Sequence, residues 1–573
     1  MSIASDPNLQ VVHINDFTPG VHNTSKALYL PTFGPDAPLG SASLAYRCYA
    51  KKGVGLLPFP SYYMFHSVSG NVGMQAAITA MASLTPALSA GWVQDIIVYG
   101  FQFWVPPTAV YFSIHSYSPT AGDSTPYTST GASSEPNLLS WPNMAVCVNT
   151  ISAAPTIQRC ITTLDAQSFT TPKWVTIPAW DGSGTALSGT FAPSAWVNSW
   201  KVLYTNGRTA FGMNAPETGS LGGMAAEGFF ASDIQAMTNI AVNGPNLFYP
   251  ELGPHIGSWG SISAGELFIV YVAGGGAVIY GDIALPSSSI KLPGVVGTGT
   301  AVGAGVQSSI GLIYVTDSDG AYAWNGGNTS QKISDAIPDD QLYRNINAYS
   351  DPFPGGGVTL GVPTAHNDAW GNWAMFANNW MFDTENGGWW QVENPAIAQF
   401  NVHCPSVGSI DSFYSADGYE TTTCRLYAWN RLAPSWTWTW VSSPIAAQPG
   451  ALVSLEYIEI CATNTAPNPV TIVATPAIPS AQPINPVSSP LPAPVSLINQ
   501  TQPQPVTFTI PPYAVAWRGA QRVGWSAHNL CVQLIANNSA GSPPIGGPAP
   551  TLHELTLGYT VTRGTNVYPS GQS

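Results

Sequence analysis

Charge is what this 573-residue sequence has least of: Asp, Glu, Lys and Arg together make up 8% of it, against about 25% in an ordinary soluble domain. The charges present are 30 acidic and 16 basic, a formal −14 with His neutral, and the longest basic run is Lys51-Lys52. Affinity for nucleic acid comes mainly from Lys and Arg neutralising phosphates. Tight nucleic-acid binding is therefore excluded, and DNA should be repelled. Cysteine is also scarce: seven residues (48, 147, 160, 404, 424, 461, 531), odd in number and without a CxxC. Buried thiols acting as small hydrophobes are expected. Cys147 with Cys160, or Cys404 with Cys424, are the pairs an oxidising setting would join. No window approaches 18 uninterrupted apolar residues, so no transmembrane helix is expected. The opening MSIASDPNLQVVHIND has neither a basic nor an apolar leader region, so no signal peptide is expected.

Several chemistries lack their motifs. There is no HExxH and no close His pair for zinc, no Gly-Lys dipeptide for a Walker A loop, and no GxSxG elbow. Gly297-Thr-Gly299-Thr-Ala-Val-Gly303 resembles a nucleotide loop but has no βαβ frame, and reads as a turn.

Glycine (56), proline (51) and tryptophan (20) are plentiful, and 45% of the chain is hydrophobic. Such a chain can bury a core, and its density of turn formers points to an all-β protein with minor helices. The clearest local signal is Gly311 to Ser334. An apolar run, Leu312-Ile313-Tyr314-Val315, meets an Asp319-Gly320 turn, then Ala321-Tyr322-Ala323-Trp324, then an Asn325-Gly326 turn. Asp or Asn before Gly suits the positive φ of tight turns, so this is a hairpin. The pattern recurs at Val278–Asp282, at Trp380–Asp383 leading to Trp389-Trp390, and at Leu426–Asn430 leading to Trp436–Trp440. Aromatic cores at 280, 324, 382 and 429 have the spacing of β-propeller blades.

Along the chain, residues 1–57 read as an extended N-terminal arm, 58–445 as a β-propeller-like domain, and 446–573 as a C-terminal β-sandwich-like domain with a Pro-rich excursion at 466–512. Within the second unit, Gly73–Leu88 and Met224–Ile240 have apolar residues at helical spacing. Trp92–His115 reads as two strands around Pro106-Pro107, Ser116–Pro136 as a loop, and Trp196–Phe211 as a hairpin about Asn206-Gly207. Val515–Val523 reads as a strand–turn–strand about Gly519. In Trp436-Thr437-Trp438-Thr439-Trp440 the period of two puts all three indoles on one face. They serve either as packing between blades or, with Trp389 and Trp390, as a face for a partner chain or a glycan.

Carboxylates near aromatics are Asp282, Asp383, Glu385 and Asp417, the candidates a glycosidase would need as a converging pair. Asp317 and Asp319 offer oxygens to a calcium ion, but no third carboxylate follows at loop spacing. Turn capping is the expected role, with no catalytic residue, cofactor or metal.

Asp16-Phe17-Thr18-Pro19-Gly20, the Gly53-Val-Gly55-Leu56-Leu57-Pro58 lead-in, and the terminal turn of Arg518, Gly519 and Arg522 resemble the nozzle or hub proteins of short-tailed phage tails, of the packaged-DNA stabilisation and tail tubular B types. The resemblance implies a structural virion protein, not an enzyme, assembled in the host cytoplasm. It implies a homo-oligomeric ring of six around the DNA channel, docked to portal or adaptor and other tail proteins. An acidic, uncharged-polar wall would let DNA pass without sticking. Two alternatives stay open: a tail-tip protein binding host glycan, and a secreted propeller hydrolase or lectin.

Overall fold

In the computed structural model the described residues are 8–24, 38–69, the strands between 75 and 282 and, with short interruptions, 285–342, 364–477 and 505–562. All regular structure in them is β. Among the described residues no helix is long and apolar enough to cross a membrane.

Seven four-stranded antiparallel groups follow one another. The first is Gln75–Leu84, Ile96–Val105, Ala109–Ser118 and Gly122–Thr130. The second is Asn137–Trp141, Met144–Asn149, Thr156–Thr162 and Pro172–Ile177. The third is Lys201–Thr205, Arg208–Asn214, Glu227–Asp233 and Ala236–Ile240, with Leu247–Phe248 as an added strand. The fourth is Ile256–Gly260, Glu266–Tyr271, Gly276–Asp282 and Leu285–Leu292, and the fifth is Val306–Ser308, Gly311–Val315, Ala321–Trp324 and Gln331–Lys332. The sixth is Thr364–Asn367, Asn372–Met375, Trp380–Asp383 and Trp389–Gln391. The seventh takes Phe400–Pro405, Asp411–Asp417 and Thr423–Pro434 from the middle of the chain, but its fourth strand is Pro60–Ser69. Each group's first strand touches the first strand of the next, and Phe400–Pro405 returns to Gln75–Leu84, so the contacts form a closed cycle.

The aromatic repeat maps onto this order. Positions 280, 324, 382 and 429 all fall on the third strand of their group. Gly320, Gly326 and Gly387 have φ of 91°, 87° and 81°, as their turns require. Lys201–Thr205 and Arg208–Asn214 pair antiparallel, Thr205 opposite Arg208, and Asn206-Gly207 lies outside the described residues.

The remaining strands form two larger sheets. The sixth group continues through Ala42–Tyr46, Trp438–Ser442, Cys531–Asn538, Val470–Ala477 and Val506–Ile510 into a nine-stranded sheet. A six-stranded sheet holds Cys48–Lys51, Gly55–Pro58, Thr551–Thr562, Leu452–Thr463 and Trp517–His528, with Gln10–Ile14 against Thr551–Thr562. One buried cluster runs through both, including Val453, Ile458, Ile472 and Leu534, and reaches Trp373, Trp380 and Trp429 of the sixth and seventh groups. The residues read as an N-terminal arm thus contribute strands to the sheets that also hold the C-terminal strands. Of the Pro-rich excursion, Val470–Ala477 and Val506–Ile510 are strands, and 478–504 lies outside the described residues.

Four local expectations are corrected. Gln75–Leu84 is a strand, not a helix; Ala76, Ala77, Ala80 and Ala82 between its larger residues leave the apolar period ambiguous, and pairing with Ile96–Val105 decides it. Glu227–Asp233 and Ala236–Ile240 likewise replace the second helix. The Ser116–Pro136 loop contains the strand Gly122–Thr130. Trp517–His528 runs through Gly519 without turning; a Cβ there would meet the Trp517 indole at 2.2 Å, so close approach, not a bend, requires glycine.

Candidate functional site

The five tryptophans proposed as a partner or glycan face are placed mostly inside. Trp389, Trp390, Trp438 and Trp440 are at most 1% exposed, and Trp436, just before the strand Trp438–Ser442, is 37% exposed. Trp389 donates to the Ile333 carbonyl at 2.6 Å and Trp438 to the Pro550 carbonyl at 2.9 Å. Trp440 meets Phe17 edge-on at 5.5 Å. Four of the five indoles are therefore core, and they offer no surface to a ligand.

The candidate carboxylates whose side chains are described are tied locally, and Glu385 lies near enough to Asp383 to help raise its pKa. Asp383, nearly buried, accepts from the amides of Glu385 (2.8 Å) and Asn386 (3.1 Å) and from Asn386 Nδ2 (2.7 Å). Burial raises its pKa, and those hydrogen bonds oppose the rise. This is a turn cap. Asp417 accepts from the Arg425 amide (3.0 Å) and the Tyr427 hydroxyl (2.6 Å), and burial again raises its pKa. Asp319 accepts from Tyr322 and from Lys332 Nζ at 3.2 Å; the tyrosine hydrogen bond leads in holding its pKa down. Glu385 meets Asp383 through its backbone amide. Asp317 and the side chain of Asp282 lie outside the described residues. Among the described residues no three His, Cys, Asp or Glu side chains are placed to hold a metal ion.

Cys48, Cys404, Cys424, Cys461 and Cys531 are buried thiols outside any disulfide, so Cys404 and Cys424 are not joined to each other. Burial pushes the thiols of Cys48, Cys404 and Cys531 up. Because the thiolate is the reacting form, a water-soluble disulfide reagent is expected to label these cysteines at least about tenfold more slowly in the native protein than in denaturant. Equal rates, followed by absorbance and mapped by mass, would contradict this burial.

Two clusters that sequence reading did not find lie where the sheet systems meet. At the first, Arg47 has a φ of 56°, rare for a non-glycine residue. This kink ends Ala42–Tyr46 in the nine-stranded sheet and starts Cys48–Lys51 in the six-stranded one. Its guanidinium is paired with Glu393, with Nε 2.6 Å from Oε2. The Tyr62 hydroxyl donates to the same oxygen at 2.7 Å, and the guanidinium lies 5.6 Å from the Tyr62 ring centre. Glu393 Oε1 accepts from the Asn394 amide at 2.7 Å. The Glu393 carboxylate is 1% exposed, so both its oxygens are satisfied within the joint. Burial raises the Tyr62 pKa, and the adjacent carboxylate raises it further.

At the second, Asp123 bridges two imidazoles. His115 Nδ1 is 3.0 Å from Oδ2, His66 Nε2 is 3.9 Å from Oδ1, and the Tyr99 hydroxyl donates to Oδ1 at 2.9 Å. Rings stack in pairs, His66 on Tyr117 at 4.3 Å and Tyr99 on His115 at 4.9 Å. His66 belongs to the strand Pro60–Ser69, and the others belong to the first group, so the cluster ties the seventh group to the first. Burial lowers the His66 pKa from 6.5; Asp123 opposes this and His115 adds to it. A lowered pKa means that the folded state binds the proton less readily than the unfolded chain. Stability is thus expected to fall as pH drops below about 6.5. Melting curves from pH 7.5 to 5 test this: His66→Phe should flatten the slope, and an unchanged slope would contradict it.

No family model matches the chain, and no curated protein does. Among solved structures, the crystal structure of the computationally designed Ika8 protein is similar over 62% of this chain and 98% of that one, at 12% identity and a TM-score of 0.30. A likeness that distant carries no argument about fold or function.

Proposed function

We propose that this chain is a structural virion protein, a nozzle or hub segment of a phage tail. Its seven four-stranded groups are the blades of a propeller, and its terminal strands form the body that meets neighbouring parts. The observation that carries the reading is the closed cycle of first-strand contacts, sealed by a strand from residues 60–69 and backed by the cluster around Asp123. A sheet ring closed by its own early strand is stiff, and stiffness suits a part that works by position. The tail assignment adds the resemblance around Asp16–Gly20 and Gly53–Pro58 and the charge-poor, net acidic composition. Asp383 and Asp417 are engaged as turn and strand ties, which favours this reading over a hydrolase. The burial of four of the five candidate indoles favours it over a glycan-binding tip.

In this role copies assemble head to tail around a channel, six by resemblance, and DNA passes a wall with few cations to grip phosphate. The test is imaging and weighing the purified chain. Rings at a multiple of the protomer mass are expected. No DNA mobility shift is expected at 50 mM salt with protein in the range of about 1–100 μM, where ordinary non-specific binders associate. A persistent monomer, or salt-sensitive retention of DNA, would overturn the proposal.

A further inference from the structure

The segment 511–524 is exposed far more than the sheet it belongs to. Among the described residues, Trp517–His528 is hydrogen-bonded on one side only, to Leu452–Thr463, so its other edge has no strand partner there. Arg518, Ala520 and Arg522 are exposed on one face of its first half and Gln521 on the other, where Trp517 and Val523 pack partly against the core. Just before it, Tyr513 is 68% and Val515 83% exposed. Two non-glycine residues of this loop, Tyr513 and Ala516, hold positive φ of 52° and 49°, conformations that cost energy and persist only where surroundings enforce them. The enforcement is visible. The Tyr513 amide donates to the Ala466 carbonyl at 3.2 Å, the Asn464 amide to the Ala514 carbonyl at 2.8 Å, and the Ala516 amide to Thr463 Oγ1 at 3.1 Å. Two apolar side chains are thus held out on a pinned loop beside an open strand edge. Unprotected edges pair with other chains, and rigid aromatic anchors dominate binding energy at interfaces.

We infer that this loop and edge are the contact through which one copy of the chain docks on the next, an inference that rests on the ring reading above. Charge complementarity selects the occupant. Arg518 is already held by Glu459 and Glu554 of its own chain, at 3.3 and 2.7 Å. Arg522 is exposed and forms no ion pair among the described residues, and on a chain of net −14 the surface of another copy attracts it. The same charges argue against a two-fold dimer. Pairing the edge with itself about Ala520 would set Arg518 opposite Arg522, like charge against like. The contact is therefore heterologous, different surfaces meeting, which is the kind that closes rings.

The experiment compares the full-length chain with Tyr513→Ser/Val515→Ser, and with Val515→Cys labelled by a maleimide and mapped by peptide mass. Folding of each is checked by its melting curve. Weakening of assembly by about tenfold or more in midpoint concentration, together with protection of the introduced thiol in the ring, is the expected result. Rings that form unchanged while that thiol is labelled freely would overturn the docking contact and leave the ring reading standing. If the parent chain forms no oligomer at any concentration tested, the ring reading fails and the contact fails with it.

Discussion

Replacing Arg47 by alanine is expected to destabilise the protein by about 3–5 kcal/mol, the cost of leaving a buried charge without its partner. Glu393 is the reason. Its carboxylate is 1% exposed, and one of its oxygens faces Arg47 and Tyr62. With the guanidinium gone, the group must either stay charged and buried without a counter-ion or take up a proton, and both raise the free energy of the folded state. Arg47 also turns the chain from one large sheet to the other, and its carbonyl accepts from the Phe59 amide at 2.7 Å. Glu393→Gln should cost less, because an amide keeps a polar partner for Arg47 and Tyr62 with no buried anion. Urea unfolding followed by tryptophan fluorescence measures both. If Arg47→Ala costs under about 1 kcal/mol, the pair behaves as a surface salt bridge, and the joint is not the buried one described.

The second large effect is expected at Phe59. This ring is fully buried and meets Tyr49 at 6.1 Å, Trp373 at 4.8 Å, Phe413 at 6.4 Å and Trp429 at 5.4 Å. It is where the early part of the chain enters the aromatic core of the sixth and seventh groups. Truncating such a ring to alanine removes its transfer energy and leaves a cavity, about 3–5 kcal/mol in comparable cores. Trp373, hydrogen-bonded Trp429 and their neighbours are too tightly braced to collapse into the space; Trp429 donates to Ser415 Oγ at 2.8 Å, and His403 Nδ1 lies 2.8 Å from the same oxygen. Phe59→Leu should recover most of the loss. Because Phe59 and Arg47 share a backbone hydrogen bond, their effects should not add, and a double-mutant cycle would read a coupling of about 0.5–3 kcal/mol.

What the sequence disclosed, and what it withheld, divides along the range of the interactions. The third strands at 280, 324, 382 and 429 were legible because an aromatic strand and the turn that ends it are local, coded within a dozen residues. The all-β class followed from the same signals. The fate of Trp436–Trp440 was not legible. Alternation tells that Trp438 and Trp440 share a face, but their strand partners are at 42–46 and 531–538, and only those decide that the face is core. The strand at Gln75–Leu84 is ambiguous in sequence for a related reason, since its small residues fit either period and pairing with Ile96–Val105 decides between them. Arg47 and Glu393 are 346 positions apart, and no spacing rule joins them. The available cue was a lone arginine between Tyr46 and Cys48 in a chain with few charges to place.

Pro60–Ser69 has a consequence for how the protein is made. The strand it pairs with, Thr423–Pro434, is synthesised about 350 residues later, so at ordinary elongation rates the early strand waits roughly 20–70 seconds for its mate. During that wait the first six groups can form from contiguous sequence, each as it emerges, while the seventh cannot. A ribosome-bound chain halted before residue 423 should therefore hold an open row of sheets with an apolar strand to spare, the state in which the nascent protein is most in need of a chaperone.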